Sequence, residues 1–509
     1  MVKRDVYIAI ILFALGIVTR IPFMSKVFYY WDCVNYALAL EDFNVAEGRP
    51  GAPGYFLYIM LGKLMHLVID DPNACFVWLS VVASGLGAAL IFVLGNMMFS
   101  RCVGLSASLL FLTSPLVWFH GEIAFPYVLE GTLSVALAWL CFQTLGQPRL
   151  AYGIGGALLL AVLGGLRPQG MIFLFPLWIY GIHKLRQRDM LLTLCGLGMF
   201  VLMWVVPMVI LSGGWLAYYD AIRTGSSTLQ VSSIKEFGMS VWENSEKYFR
   251  YLMKACTIGL GVLVFGIPLL VKHKKVFEKK STRILLAWII GPSCFFILIY
   301  LGNPGHLFTC LFAYFLVVAI VIEHLTRNNK TLGSILLGIC IFVNIGVFLV
   351  DTHPDRVWHK KTWYRASDLQ KKNQYVLNKI EYIRENLDPK STILLADTGG
   401  SGHVPQLAYY LPQFRTYSFL AVRAQGQRSV LYSKGDKTLA QMDIDSPFLI
   451  PTEVKTIVLF DSKYEKAFDF SSGAYARIKL SDGVEIVLTY PESNNYLEVD
   501  YQSLSLVRL

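Results

Sequence analysis

The sequence has few charged residues. Only 16% of its 509 residues are Asp, Glu, Lys or Arg, against roughly a quarter in a typical soluble domain. Hydrophobic residues make up 55% of the chain, and its mean hydropathy is +0.51. A chain of this composition cannot hide its apolar surface in one core. The shortage of charge therefore excludes a soluble enzyme, a disordered protein and a fibrous protein, and indicates a polytopic membrane protein.

Cysteine is absent after residue 350, and all nine cysteines precede it. Most of them lie inside apolar runs, and none are spaced as metal-ligand pairs. We therefore expect neither a disulfide framework nor a zinc site.

Charge divides the chain at the same point. Residues 1–350 contain 25 Lys and Arg against 16 Asp and Glu, whereas residues 351–509 contain 20 against 19. The net charge of +10 thus belongs almost wholly to the apolar part, where basic residues report membrane orientation. We predict a transmembrane catalytic domain over 1–350 and a soluble domain over 351–509.

Long apolar runs divide the first domain into predicted membrane spans. A spanning helix needs about 20 mostly apolar residues, because its backbone must satisfy its own hydrogen bonds in lipid. The eleven runs that approach this length are 5–21, 75–98, 103–119, 126–145, 151–166, 170–183, 190–211, 254–271, 284–301, 305–322 and 332–350. A further stretch, 54–69, is shorter and contains Lys63 and His66, which predicts a re-entrant or interfacial helix.

The distribution of basic residues predicts the orientation of these spans. With the N-terminus in the cytoplasm, the inner segments carry fifteen basic and four acidic residues, while acidic residues collect in the outer loops. This bias follows the positive-inside rule, and an odd number of spans places residues 351–509 outside. The one Asn-x-Ser/Thr site, Asn329-Lys330-Thr331, then lies inside, which favours a bacterial inner membrane over the secretory pathway.

Residues 351–509 have the pattern of a small extracytoplasmic α/β domain. A helical pattern from Leu369 to Leu387 ends at Asp388-Pro389. The turn Thr398–Gly402 lacks both the dinucleotide fingerprint and a Walker lysine, so we interpret it as structural. The strand-like runs are 391–397, 415–419, 455–461, 475–480 and 485–490.

The first external loop, residues 22–74, is polar and acidic. Asp32 stands in the run Tyr29-Tyr30-Trp31-Asp32-Cys33-Val34-Asn35-Tyr36. Aromatic neighbours at a membrane surface would partly desolvate this carboxylate, which raises its pKa and improves it as a proton acceptor near neutral pH. Alternatively, Asp32 caps the helix predicted through Asn35 to Asp42.

Several short motifs point to one group of enzymes. They are Arg20-Ile21-Pro22-Phe23, Trp31-Asp32 followed by Tyr36, Pro53-Gly54-Tyr55, Ser114-Pro115, Gly165-Leu166-Arg167-Pro168 and Asn303-Pro304-Gly305-His306. Together they resemble the membrane glycosyltransferases of the GT-C superfamily, and the nearest types are the protein O-mannosyltransferases and the lipid A aminoarabinose transferases. In the tail, Ala408-Tyr409-Tyr410-Leu411-Pro412 resembles a segment of the external domains of some bacterial members.

The resemblance implies transfer of a sugar from a polyprenyl-phosphate donor to an acceptor hydroxyl, with inversion, on the extracytoplasmic face. The general base of the family corresponds to Asp32. Two departures concern the residues around it. Many relatives have Asp-Glu where this chain has Asp32-Cys33, and the lysine that some carry near Pro53-Gly54-Tyr55 is absent. A second acid and a phosphate-binding cation must therefore come from other residues.

The first loop and its surroundings supply candidates for these roles. We predict Glu122 as a second catalytic acid, with Glu41 and Asp42 as alternatives that contact the substrate. Arg49 and Tyr55 are further predicted substrate contacts in the same loop.

Polar residues at the span ends supply the remaining candidates. Arg167, at a break between two apolar runs, is the first candidate for the leaving phosphate, because an arginine in lipid is costly unless it meets an anion. Its alternative is an interfacial arginine that snorkels to the surface. His120 either lines the acceptor cleft with Glu122 or forms an interfacial polar pair with it. His306 either contacts phosphate or sugar or simply starts a helix.

The expected partners are a polyprenyl-phosphate sugar donor, membrane lipid, and a glycan, glycolipid or protein acceptor. No metal ligands are predicted, and metal dependence stays open because related oligosaccharyltransferases use a metal. No basic and aromatic array indicates nucleic-acid binding. The alternative class is a transporter or flippase for a lipid-linked sugar or polysaccharide. Transporters tend to show internal repeats and polar groups near the bilayer midplane, whereas the acids here lie in predicted external loops.

Overall fold

The chain forms two compact units in its computed structural model. The helical unit comprises residues 1–25, 35–352 and 360–367, and the C-terminal unit comprises 26–34, 353–359 and 368–509. The structure describes residues 3–230, 241–271, 279–299, 301–326, 329–351, 364–396, 403–421, 428–434, 437, 440–443, 448–449, 452–461, 474–490 and 496–497. Two stretches lie outside this part of the chain: the predicted turn Thr398–Gly402, and residues 272–278 between the predicted runs 254–271 and 284–301.

The helical unit is built of α-helices joined by short connections. They are α1 (Lys3–Val18), α2 (Trp31–Glu41), α3 (Phe56–His66), α4 (Pro72–Met98), α5 (Arg101–Thr113), α6 (Pro115–His120), α7 (Tyr127–Gly146), α8 (Leu150–Leu166), α9 (Pro168–Ile182), α10 (Gln187–Leu211), α11 (Trp215–Gln230), α12 (Val241–Cys256), α13 (Gly259–Val271), α14 (Lys280–Leu298), α15 (Phe308–Leu325) and α16 (Lys330–Leu349). The first residues of α2 belong to the C-terminal unit.

Seven stretches in the described residues are helical, long and apolar enough to cross a membrane, and each matches a predicted run. An eighth span results if α12 and α13, which meet at a bend of 120°, are counted as one. The remaining three predicted runs form shorter helices. Pro115 interrupts the run 103–119 and separates α5 from α6, whereas the runs 151–166 and 170–183 form α8 and α9 on either side of the break at Pro168. The number of about eleven spans is therefore not confirmed by length and composition and stays a prediction. The stretch 54–69 forms the short helix α3.

The C-terminal unit contains one mixed sheet. Its strands run in the order β4-β3-β2-β1-β6-β8-β7, and β1 is parallel to both β2 and β6 while the other neighbours are antiparallel. The elements are α17 (Ala366–Asn386), β1 (Thr392–Leu395), α18 (Val404–Tyr410), β2 (Arg415–Ala421), β3 (Arg428–Lys434), β4 (Ala440–Asp443), β5 (Phe448–Leu449), β6 (Thr456–Leu459), β7 (Ala474–Lys479), β8 (Glu485–Tyr490) and β9 (Tyr496–Leu497). The strands β5 and β9 form a separate pair. The predicted strands correspond to β1, β2, β6, β7 and β8.

Candidate functional site

Arg167 lies at the break between α8 and α9. Pro168 begins α9, and the ring of a proline holds the preceding residue in an extended conformation. Arg167 accordingly has φ −159° and ψ 106°. Its side chain is only 3% exposed, so the guanidinium does not reach the surface as a snorkelling arginine would. The break between the two helices thus directs the guanidinium of Arg167 into the interior of the helical unit.

Glu130, on the first turn of α7, is the partner of Arg167. Nη1 of Arg167 donates to Oε2 of Glu130 over 2.8 Å, and the carboxylate is fully buried. The hydroxyl of Thr309 on α15 donates to the other carboxylate oxygen over 3.3 Å. Buried charges are stable only when they are paired and hydrogen-bonded. This ion pair therefore ties α7 to the start of α9 and to α15.

Replacing Gly170 with alanine is expected to weaken this ion pair. A Cβ at position 170 would lie 2.5 Å from Oε1 of Glu130, so the carboxylate would have to move. We expect Gly170→Ala to lower the Tm of the detergent-solubilised protein. The matched control is Gly198→Ala on α10, where a Cβ meets nothing within 4 Å and alanine is the better helix former by about 1 kcal/mol. An unchanged Tm for Gly170→Ala would mean that the carboxylate moves without cost.

Tyr127, the first residue of α7, gathers several of the predicted residues. The centre of its ring lies 5.0 Å from the guanidinium carbon of Arg167, 5.6 Å from the ring of His120 and 6.1 Å from the ring of His306. Tyr55 interacts electrostatically with the same guanidinium. Three predicted residues thus lie around one aromatic side chain, and Tyr55 lies near one of them, Arg167. Together with Glu130, these residues are called the Tyr127 cluster below.

The amphipathic helix α12 brings two cations, Lys247 and Lys254, towards the Tyr127 cluster. Lys247, Arg250 and Lys254 are spaced by three and four residues, which places them on one face of the helix. Lys247 acts electrostatically on His306. The ammonium of Lys254 lies 5.4 Å from the ring of Tyr364, which also contacts the ring of His120, while Arg250 pairs with the glutamate one turn before it. We did not select these cations from the sequence, although their spacing was visible there.

Glu122 lies buried in the loop between α6 and α7. Neither of its carboxylate oxygens has a hydrogen-bond partner among the described residues. Burial raises the pKa of Glu122 well above its usual value, and the nearby Arg20 and Trp118 lower it by smaller amounts. Its neutral form is therefore favoured, which suits a proton donor better than a proton acceptor.

The three acidic candidates of the first loop lie at the surface. Asp32 is exposed on the first turn of α2, which differs from the partly desolvated aspartate expected from its aromatic neighbours. It belongs to the C-terminal unit. Glu41 and Asp42 are also exposed, and Asp42 pairs with Arg49 over 3.2 Å. Arg49 is thereby engaged by a carboxylate of its own loop.

Two buried basic side chains of the C-terminal unit lie beside the segment that contains Asp32. Nζ of Lys372 donates to the carbonyl of Tyr29 over 2.7 Å, and the ring of His403 stacks on Trp31 at 6.1 Å. Burial lowers the pKa of Lys372 to about 7. Burial, and then the charge of Lys372, lower the pKa of His403 well below its usual value. Both side chains therefore resist protonation in the folded state.

The C-terminal unit is expected to lose stability as the pH falls from 8 to 5. Between pH 10.5 and about pH 7, Lys372 binds a proton in the unfolded chain but not in the folded one. The free energy of unfolding therefore falls as the pH falls through this range, and the loss is complete below about pH 7. The contribution of neutral His403 is lost as the pH falls below 6.5. Cys33, which also faces Lys372, stays neutral over this range because burial raises its pKa to about 12.

Hydrogen exchange of α17 and α18 in the full-length protein, corrected for intrinsic rates, measures this loss. Lys372→Met should flatten the pH dependence of this exchange protection above pH 7. His403→Asn, which can keep the hydrogen bond that caps α18, should flatten it below pH 6.5. Protection that is independent of pH in the wild-type protein would contradict the prediction.

Groups of three or more His, Cys, Asp and Glu that could hold a metal ion do not occur within the part of the chain that the structure describes.

No family model and no curated protein match the chain. Among solved structures, it is similar to ArnT from Cupriavidus metallidurans bound to undecaprenyl phosphate, with 14% identity, a TM-score of 0.48, and coverage of 74% of this chain and 69% of that chain. It is also similar to the Archaeoglobus fulgidus oligosaccharyltransferase in the apo form, with 10% identity, a TM-score of 0.44, and coverage of 75% of this chain and 58% of that chain.

Proposed function

We propose that the protein is a GT-C membrane glycosyltransferase that moves a sugar from a polyprenyl-phosphate donor to an acceptor hydroxyl. The observation that supports this most is the Tyr127 cluster, in which an arginine, a glutamate and two histidines surround one tyrosine inside a unit of apolar helices. Ionisable residues are costly in such a setting and mark substrate sites in membrane proteins.

The phosphate of the donor is proposed to bind between the Tyr127 cluster and α12. Glu130 compensates the charge of Arg167, so the net positive charge comes from the basic face of α12. Cations fixed in a water-poor site stabilise the negative charge that develops on a leaving phosphate. His306, which interacts with both Arg167 and Lys247, is suited to contact the phosphate or the first sugar.

Asp32 is proposed as the general base. Its carboxylate accepts the proton of the acceptor hydroxyl while the hydroxyl oxygen attacks the anomeric carbon from the face opposite the phosphate. The new C–O bond forms as the bond to the phosphate oxygen breaks, so the configuration inverts and polyprenyl phosphate leaves with the bonding electrons. The exposure of Asp32 allows a glycan, a glycolipid or a protein to reach it. Glu122, neutral by burial, stays a predicted second acid.

The proposed setting is a bacterial inner membrane. Eleven spans, a cytoplasmic N-terminus and an external domain over 351–509 are supported by the charge bias of the loops. This arrangement places the first loop and the C-terminal unit on the extracytoplasmic side, where polyprenyl-phosphate sugars are used.

A transporter is the second candidate, because the 120° bend between α12 and α13 resembles the discontinuous helices that form transporter sites. The deciding experiment gives purified protein a radiolabelled polyprenyl-phosphate sugar and membrane extract in detergent. A transferase forms a new labelled product without a sealed membrane. Movement of label into sealed proteoliposomes with no new product would instead establish transport and contradict our proposal.

A further inference from the structure

The segment that contains the proposed base is folded as part of the C-terminal unit. Val27 is fully buried in the core of that unit, together with Val376 and Ile380 from α17 and Leu407 from α18. The next residue, Phe28, is also fully buried. The beginning of the first loop is thus part of a hydrophobic core whose other residues, from Val376 to Leu488, lie roughly 350 to 460 positions later in the chain.

Aromatic contacts fix the same segment from the side of α18. The ring of Phe28 lies 5.0 Å from the ring of Tyr409, in an edge-on arrangement, and 5.5 Å from the ring of Tyr410, on which it stacks. Nζ of Lys372 lies 4.5 Å from the centre of the Tyr29 ring. Aromatic contacts of this kind add directional attraction to simple burial.

Side chains of α17 and α18 also bind the backbone of the segment directly. The carbonyls of Phe28 and Tyr29 accept hydrogen bonds, and the amides of Lys26 and Phe28 donate them. The four bonds are Lys26 N to Asn373 Oδ1 at 3.0 Å, Phe28 N to Tyr410 Oη at 3.3 Å, Gln406 Nε2 to Phe28 O at 2.9 Å and Lys372 Nζ to Tyr29 O at 2.7 Å. These bonds determine the path of the backbone immediately before α2.

We propose that the C-terminal unit positions the catalytic base. Asp32 follows the last anchored residue by three positions, so Lys372, Gln406 and Tyr410 determine where its carboxylate lies. The inference rests on the proposed function, in which Asp32 accepts the proton of the acceptor. A base acts only within hydrogen-bond reach of that proton, and a displacement of about 1 Å can cost about 10²-fold in rate. Lys372, Gln406 and Tyr410 are therefore positioning residues.

Two substitutions remove anchors and leave Asp32 unchanged. Lys372→Met removes the bond to the Tyr29 carbonyl, and Tyr410→Phe removes the hydroxyl that accepts from the Phe28 amide. The C-terminal unit offers a matched control for each. Lys379 and Tyr375 lie on α17, and both donate to the carbonyl of Phe460, over 2.7 Å and 2.6 Å, rather than to the segment. Lys379→Met and Tyr375→Phe therefore remove comparable bonds from the same unit.

The full-length protein is compared in the same transfer assay. We expect the double variant Lys372→Met/Tyr410→Phe to lose about 10²-fold in kcat with an unchanged KM for the donor. Hydrogen exchange at the amides of residues 30–34 should become faster. The double control Lys379→Met/Tyr375→Phe should keep its kcat and the exchange rates of that segment. In an Asp32→Asn background, removing the anchors should cause no further loss, because they act through Asp32.

The outcomes separate this inference from the proposed function. Full activity of the anchor variants beside an inactive Asp32→Asn variant would overturn the positioning role alone. A further loss of kcat in the Asp32→Asn background would overturn it as well, since the anchors would then act by another route. Full activity of Asp32→Asn itself would show that Asp32 is not the base. It would thereby contradict the proposed function and the positioning role that rests on it.

Discussion

Asparagine at position 32 is expected to lower kcat/KM for sugar transfer by about 10³-fold, because a general base typically contributes 10²–10⁴-fold. Asparagine has nearly the same size as aspartate but cannot accept a proton near neutral pH. The side chain is exposed on the first turn of α2, so the substitution should leave the Tm unchanged. Transfer of a radiolabelled sugar from the polyprenyl-phosphate donor measures the effect.

The same variant separates the two interpretations of Asp32. Asp32 is the second residue of α2, so a purely structural role would be that of a negative charge at the start of the helix, worth about 0.3–1 kcal/mol of stability. Loss of that charge alone would leave sugar transfer unchanged. Asp70→Asn is the control, since Asp70 is an exposed acid of the same loop and has no proposed role. Equal transfer by Asp32→Asn and Asp70→Asn would exclude Asp32 as the base.

The second large effect is expected at the Arg167–Glu130 ion pair. Glu130→Leu leaves a buried guanidinium without its partner, and breaking a buried pair in this way typically costs about 3–5 kcal/mol. The variant should therefore have a much lower Tm, and donor binding should fall with it. Arg167→Met should behave in the same way, because it leaves the Glu130 carboxylate uncompensated.

The double variant Arg167→Met/Glu130→Leu distinguishes stability from function. Replacing both members of a buried ion pair by apolar residues is often neutral for stability, so we expect the Tm to recover. Donor binding should stay weak, because the guanidinium N–H groups that Arg167 is proposed to donate to the phosphate are lost, although the net charge of the site is unchanged. A double variant with wild-type donor affinity would mean that the pair has only a structural role.

The fold could be predicted from the sequence where the signal is local. Apolar runs located the long helices. Average hydropathy does not register a proline inside a run, so the run 103–119, which contains Pro115, was predicted as one span but forms two shorter helices. The runs on either side of Pro168 form helices that are shorter than a typical span. The strands β1, β6 and β8 were also predicted, because each is a continuous apolar run in the sequence. The outer strands β3 and β4 were not predicted, because Arg428–Lys434 and Ala440–Asp443 lack a continuous apolar run.

The site was predictable only in part. Arg167, His120 and His306 drew attention because each is a polar residue at the end of an apolar run. The pairing of Arg167 with Glu130 depends on how α7 packs against α9, which no local pattern encodes, and Glu130 had been counted among the acids of the external loops. The placement of Asp32 in the C-terminal unit depends on bonds between residues more than 340 positions apart.

The burial of Val27 and Phe28 among C-terminal side chains has a consequence for biosynthesis. Residues 26–34 leave the ribosome early, yet Lys372 follows Tyr29 by 343 positions. At a translation rate of about 5–20 residues per second, roughly 20–70 s pass between the synthesis of this segment and the synthesis of Lys372. The newly made N-terminal half therefore contains Asp32 without the surroundings that order it. A truncated product ending before α17 would insert its helices but lack order in residues 26–34, because this segment becomes ordered only after the C-terminal unit has been translated.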